Sequence, residues 1–220
     1  MKNYQAVIFD LDGTLVDSLA DIADSMNNIL LRFGYPIFSY DAYKYFIGNG
    51  LKKLVYRCLP EGEKTEENVV RCLSAMMEEY RIHYVDKTHL YNGIAELLDF
   101  LVSNKMKLAV LSNKPDEITK KICNKLLSNW RFDMILGATE DFPRKPAPNA
   151  ALHIATQLTT LPEKCLYMGD TNVDMQTANT AKMFSIGVTW GFRNRLELQE
   201  AGAKLIIDNP SELINTILYI

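Results

Sequence analysis

The chain has no surplus of positive charge. Its 24 Lys and Arg stand against 27 Asp and Glu, for a formal charge of −3 over 220 residues, and the basic residues are scattered. A nucleic-acid partner, which needs a basic field, is therefore set aside. Cysteine is scarce. Cys58, Cys72, Cys123 and Cys165 are far apart, form no CxxC pair and mostly fall at apolar-facing positions, so they read as buried free thiols of a reducing compartment. No uninterrupted apolar run approaches a membrane span, and Met1 to Gln5 lead into the first apolar stretch without a signal segment. The expectation is a cytoplasmic protein with no membrane partner. Histidine is sparse too: His83, His89 and His153 belong to none of the motifs below and read as surface or core residues. There is no internal repeat and no low-complexity segment. The length suffices for one substantial core or two small ones.

What is present begins with Ala6-Val7-Ile8-Phe9-Asp10-Leu11-Asp12-Gly13-Thr14. Four consecutive apolar residues suit a strand covered on both faces, as in a parallel sheet, and such sheets bind ligands beyond the carboxyl ends of their strands. Asp10 falls at that end. Gly13 permits a sharp turn, so Asp12 can return toward the same space. Two acids in one crevice repel unless a proton or a cation intervenes. The ordinary alternative is a strand-end Asp followed by a turn Asp-Gly.

Further along, Asp17-Ser18 opens a helical pattern through Phe33, with Ser18-x-x-Asp21 resembling a capping box, and Gly34 and Pro36 end it. Ser39 can cap a short helix through Phe46. Gly48-Asn49-Gly50 makes a turn before the apolar face Leu51, Leu54, Val55 and Cys58, and a longer helix covers Thr65 to Tyr84. No strand is expected between about residues 16 and 90. After Gly93, helices alternate with short apolar runs: strands are expected at 107–111, 134–136, 165–168, 184–188 and 205–207, with Pro148 in the first turn of a helix through Leu158. This βαβ alternation predicts a doubly wound, Rossmann-like parallel sheet of α/β class. Residues 16–87 then form a separate all-helical lobe, and the core comprises 1–15 and 88–220.

Polar chemistry follows three of the strands: Asp10 and Asp12 after the first, Ser112 and Asn113 after the second, Asp170 and Asp174 after the fourth. Parallel strands gather these ends on one edge. Lys145, flanked by prolines in Pro143-Arg144-Lys145-Pro146-Ala147-Pro148, brings a cation to the acids. Several carboxylates with a single lysine call for further positive charge, and an all-oxygen shell points to magnesium. A hydroxyl, backbone N–H groups and an ammonium around a metal suit a phosphoryl group. Each residue also has an ordinary reading: Ser112-Asn113 as a helix cap, Lys145 as a solvated charge, Asp170 and Asp174 as first-turn acids favoured by the helix dipole.

Taken together, Asp10-Leu11-Asp12-Gly13-Thr14, Leu111-Ser112-Asn113, Lys145-Pro146 and Gly169-Asp170-Thr171-Asn172-Val173-Asp174 resemble, in order, the four motifs of the haloacid dehalogenase superfamily. The likeness covers essentially the whole chain, with the helical insert in the place of that family's cap. Ile47-Gly48-Asn49-Gly50 and Val188-Thr189-Trp190-Gly191 resemble its phosphoglycolate phosphatase branch. The resemblance implies that Asp10 is a nucleophile forming an aspartyl-phosphate, and that Asp12 is the general acid and then the general base. It also implies a magnesium site made by Asp10, Asp170 and the Asp12 carbonyl, with Asp174 behind them. Ser112 and Lys145 would hold phosphoryl oxygens, with Thr14 and Asn113 beside them. Gly48, Asn49, Gly50 and Lys52 of the cap are the candidates for substrate choice. The expected partner is a small phosphorylated metabolite, with monomer and homodimer both open.

Two departures from the family pattern concern backbone stiffness: Asn92 precedes Gly93 where Pro is common, and Lys182 stands where Gly is common. A β-phosphoglucomutase-like phosphotransferase, a pyrophosphatase and a non-catalytic phosphometabolite sensor are the alternatives.

Overall fold

The computed structural model of the chain describes residues 4–217. Met1, Lys2 and Asn3, part of the expectation about a missing signal segment, lie outside the described residues. Six parallel strands form the central sheet: β1 (Ala6–Phe9), β4 (Lys107–Pro115), β5 (Met134–Ala138), β6 (Cys165–Gly169), β7 (Phe184–Val188) and β8 (Leu205–Ile207), in the order β5-β4-β1-β6-β7-β8. Phe9 lies level with Val110 on one side and Met168 on the other. The residues after β1 and β6 therefore emerge together on one edge.

All four residues of β1 are buried, as its unbroken apolar run predicts. Because successive side chains point to opposite faces, Val7, Phe9, Leu166 and Met168 join one apolar cluster while Ala6, Ile8, Cys165 and Tyr167 join another. Helices α5 (Ile94–Ser103), α6 (Asp116–Leu126) and α10 (Pro210–Thr216) contribute to the first cluster. Helices α7 (Asn149–Gln157) and α8 (Asn172–Thr180) contribute to the second. The sheet is thus covered on both faces.

The segment between β1 and α5 holds four helices, α1 (Leu19–Arg32), α2 (Tyr40–Phe46), α3 (Leu51–Cys58) and α4 (Glu66–Ile82). Ser39 and Thr65 cap α2 and α4 by accepting the backbone N–H of Ala42 and Asn68. The expectation of a strand-free insert needs one correction at its margins. Val16–Asp17 (β2) and His89–Leu90 (β3) pair antiparallel where the insert leaves and rejoins the sheet domain. Two-residue strands are too short to produce a readable periodicity.

Other differences have local causes. Ser18 precedes α1 but makes no side-chain capping bond; the carboxylate of Asp21 instead accepts the backbone N–H groups of Lys87 and Thr88 and the Thr88 hydroxyl, at 2.6–3.0 Å. Strand β4 runs on through Pro115, four residues past its apolar run, with an irregular register against β5 between Leu111 and Pro115. Helices α9 (Arg195–Glu200) and α10 were not anticipated, although Asn209-Pro210 with Glu212 is a legible capping box with proline in the first turn. Lys182, the departure noted above, has φ +60°. Among the described residues no helix is long and apolar enough to cross a membrane.

Candidate active site

Asp10 lies one residue beyond β1, and its N–H donates to the Met168 carbonyl (2.9 Å), prolonging the ladder. Its Oδ1 accepts the N–H of Leu11 at 2.7 Å and faces the ammonium of Lys145 at 2.9 Å. Oδ2 carries neither bond. Lys145 is almost fully buried and also reaches Asp174 Oδ1 (2.7 Å) and the Leu111 carbonyl (3.1 Å). Asp174 is held from behind, since its Oδ2 accepts the Thr171 hydroxyl (2.6 Å) and N–H (3.1 Å) in the capping box of α8. Asp170 accepts the Thr14 hydroxyl at 3.2 Å and the Phe192 N–H at 2.8 Å. At Gly13, with φ +81°, a Cβ atom would stand 2.2 Å from Asp170 Oδ2, so only glycine lets the loop lie this close.

One carboxylate oxygen from each of Asp10, Asp170 and Asp174 falls within 4.8 Å of the others, all three buried. Asp10 and Asp174 share one ammonium, that of Lys145, and Asp170 pairs with none within 4 Å among the described residues. The electrostatic consequence is direct: burial and the Asp174 charge push Asp10 up to about 7 against the pull of Lys145, and burial, Asp174 and Asp10 push Asp170 well above the carboxylate range. A divalent cation would relieve this repulsion. The donors are all hard oxygens, which fits magnesium.

Asp12 is separated from this group. Its Oδ1 accepts the Ser18 hydroxyl at 2.5 Å and pairs with Lys114 Nζ at 2.6 Å. Lys114 is itself buried, and its ammonium also donates to the hydroxyl of Tyr80 on α4, at 2.6 Å. Neighbouring carboxylates Asp10 and Asp12, two residues apart, thus sit in different surroundings.

Asp10, Asp12, Ser112, Asn113, Gly48 and Gly50 line one cavity between the sheet edge and the helical insert, with Lys114 in its wall. Its free space is about 30 Å³, enough for a water molecule or two. The insert rests directly on the sheet domain here. The Asn113 amide donates to the Gly48 carbonyl (3.0 Å) and to the Lys145 carbonyl (3.1 Å), while its oxygen accepts the Lys145 N–H (3.0 Å). Arg193 donates to the carbonyls of Lys44 and of Ile47, the latter at 3.1 Å. Arg144 donates to the Asn113 carbonyl (3.2 Å) and packs so closely on Gly50 that a Cβ there would lie 1.9 Å from its Nη1.

The expected residues are not all in one place. Thr14 is fully buried and turned to Asp170, away from the cavity lining. Asn49 and Lys52 line a separate, outer hollow of about 400 Å³ shared with Lys53, Lys64 and Arg144. There Asn49 accepts from Arg57 (2.8 Å) and Lys52 pairs with Glu66 (2.6 Å). Sequence reasoning missed Lys114, Tyr80, Ser18, Arg144 and Arg193 as site residues. Lys114 did carry a signal, because it directly follows Ser112-Asn113 in the same strand. Tyr80 is spaced as one more apolar-face residue of α4 and carried none.

This edge of a doubly wound sheet, with its acids and an insert leaning over them, defines a class of hydrolases. The chain belongs to the haloacid dehalogenase-like hydrolase family, whose profile matches residues 7–188. Among its relatives, phosphoglycolate phosphatase 1 of Pseudomonas aeruginosa is 30% identical over 212 residues, covering 94% of this chain and 78% of that protein. Phosphoglycolate phosphatase of Aquifex aeolicus is 31% identical over 214 residues, covering 96% and 95%. A crystal structure from Lactobacillus delbrueckii subsp. bulgaricus, provisionally named a phosphoglycolate phosphatase, superposes with a TM-score of 0.93 at 33% identity over 99% of this chain and 100% of that one. β-Phosphoglucomutase of Clostridium difficile superposes with a TM-score of 0.79 at 25% identity, covering 98% and 96%.

Proposed function

We propose that the chain is a magnesium-dependent phosphatase that hydrolyses a small phosphomonoester of the phosphoglycolate kind through an aspartyl-phosphate on Asp10. The observation that carries this reading is the contrast between Asp10 and Asp12. Two carboxylates in unlike surroundings can take unlike roles: one is set among acids and Lys145, the other is tied to Lys114 and Ser18.

Asp10 Oδ2 attacks phosphorus in line, forming the Oδ2–P bond as the P–O bond to the alcohol breaks. Asp12 gives its proton to the departing oxygen. It then takes a proton from the water that attacks phosphorus, which releases inorganic phosphate and restores Asp10. Ser112 and the Lys145 ammonium hold the phosphoryl oxygens, and Lys145 offsets the charge of Asp10 and Asp174 throughout. Asp10, Asp170 and the Asp12 carbonyl would hold magnesium with Asp174 behind them, and the ion would supply positive charge to the phosphoryl group. Residues 16–87 act as a cap over the core of 1–15 and 88–220. The β2–β3 ribbon is its stem, and the narrow cavity requires it to open for substrate to enter. Gly48 and Gly50 face the leaving group, while Asn49 and Lys52 bear on selectivity from the outer hollow. The likeness to β-phosphoglucomutase supports phosphoryl transfer to a sugar phosphate as the second reading.

The test is Asp12→Asn with an aryl phosphate in magnesium. A phenolate departs almost unaided, but hydrolysis of the acyl phosphate still needs the base, whose help is worth about 10²–10⁴-fold. A burst of phenol roughly stoichiometric with enzyme, phosphate trapped on Asp10 and slow turnover afterwards are expected. Unimpaired steady-state turnover of an alkyl phosphate would remove Asp12 from this role, and full activity of the parent enzyme in chelator would remove the metal.

A further inference from the structure

The mechanism above leaves the buried cation Lys114 unused. Lys114 and Lys145 both project from the same edge, but they serve different acids: Lys145 pairs with Asp10 and Asp174, Lys114 with Asp12 alone. The second partner of Lys114 comes from the helical insert, because Tyr80 belongs to α4 and its hydroxyl accepts from the same ammonium. The ammonium also lies 4.8 Å from the centre of the Tyr80 ring. A single point charge therefore touches the sheet domain's acid and the insert at once.

We propose that Lys114 is a positioning residue whose hold on Asp12 is completed by Tyr80, so that docking of the insert sets the orientation of the Asp12 carboxylate. This rests on the acid–base reading of Asp12. The geometry supports it in two ways. Both donors to Asp12, Lys114 and Ser18, converge on Oδ1, which fixes the carboxylate plane and leaves Oδ2 as the oxygen for proton transfer. Tyr80 is fully buried against this group, so swinging α4 away would leave the ammonium with one fewer partner and more freedom to leave its place. Ser18, next to β2, lies at the stem of the insert, so the other donor to Asp12 is also tied to the moving part. Acid–base help is then assembled when the insert closes and relaxed when it opens.

A purely structural role for Lys114 would lower stability and leave the kinetics of the folded enzyme alone. The positioning role makes a different demand. With p-nitrophenyl phosphate, Lys114→Met should keep a phenol burst near one per enzyme, at a burst rate within about threefold of the parent. Its steady-state kcat should fall by roughly tenfold or more, the scale expected when a catalytic group is displaced by a fraction of an ångström, and KM should fall with it, leaving kcat/KM for this aryl ester little changed. With phosphoglycolate as an alkyl phosphate, where the acid is needed for the first step, the burst itself should slow.

Lys114→Arg should recover part of the loss. Tyr80→Phe should show the same pattern more weakly, and the double variant Lys114→Met/Tyr80→Phe should be no worse than Lys114→Met, since both act through one contact. Turnover of Lys114→Met near the parent rate, in a preparation where Asp12→Asn stalls, would overturn the proposal while sparing the role of Asp12. Parent-like turnover of Asp12→Asn would instead remove the reading beneath it. If Lys114→Met does not fold, Tyr80→Phe decides by itself: a slowed steady state with a preserved burst supports the link, and unchanged turnover refutes it.

Discussion

Removing divalent cations should make the protein less stable as pH rises from about 5 to about 8, opposite in sign to ordinary acid unfolding. Burial and the neighbouring Asp174 push Asp10 from 3.8 to about 7 in the folded chain despite the opposing Lys145. Between those values the native state holds a proton that the unfolded state has released. The contribution of Asp10 to stability is therefore fully present below about pH 4, falls as pH climbs toward 7 and levels off above it. The full displacement is equivalent to about 4 kcal/mol, and the part crossed above pH 5 to roughly 3 kcal/mol. Asp170, raised for the same reasons, adds in the same direction. Against a total stability of roughly 5–15 kcal/mol this is a large effect. Urea unfolding in chelator and in millimolar magnesium across this pH range provides the assay. Exposed groups such as His83 contribute alike to both series and cancel in the difference. Magnesium should flatten the slope, because bound cation replaces the proton as the compensating charge, and its stabilising effect should be greatest at the alkaline end. Parallel slopes with and without magnesium would refute the reasoning, and so would stability that rises with pH in chelator.

Three other outcomes follow from particular contacts. Lys145→Ala leaves Asp10 and Asp174 buried without their shared ammonium, so it should cost about 3–5 kcal/mol in chelator. Magnesium should return much of that stability but not the turnover; an equal loss in both conditions, read by denaturant titration, would count against the assigned charge balance. Lys182→Gly should stabilise the protein by up to about 1 kcal/mol, since φ +60° strains any residue with a Cβ, and a thermal melt that moves down would contradict this. Burial pushes the thiols of Cys58 and Cys123 up to about 12 and that of Cys165 up to about 11, with Cys72 also raised. Native protein at neutral pH should therefore leave an aromatic disulfide reagent nearly unreacted, whereas unfolded protein should titrate four thiols.

The amino-acid order by itself determined the sheet, the insert and the acids. An unbroken apolar run such as Ala6–Phe9 must be covered on both faces, so it signals a parallel strand, and the acid that follows it falls at a strand end whatever the rest of the chain does. The same logic placed Asp170 after β6 and Lys145 in the loop before α7. Local capping chemistry marked α2 through Ser39, and Thr65 and Thr171 cap α4 and α8 in the same way, because a side-chain oxygen and an N–H three residues apart need nothing distant. Only tertiary structure decided where side chains with several possible partners went. Ser18 and Asp21 have the spacing of a capping box, yet one turns to Asp12 and the other to Lys87 and Thr88, 66 and 67 residues away. Thr14 turns to Asp170 across 156 residues, and Lys114 joins Asp12 and Tyr80 across 102 and 34. Periodicity encodes which face of an element is buried, but not which polar group a folded neighbour brings to it. An ammonium taken out of water must find its partners wherever packing has put them.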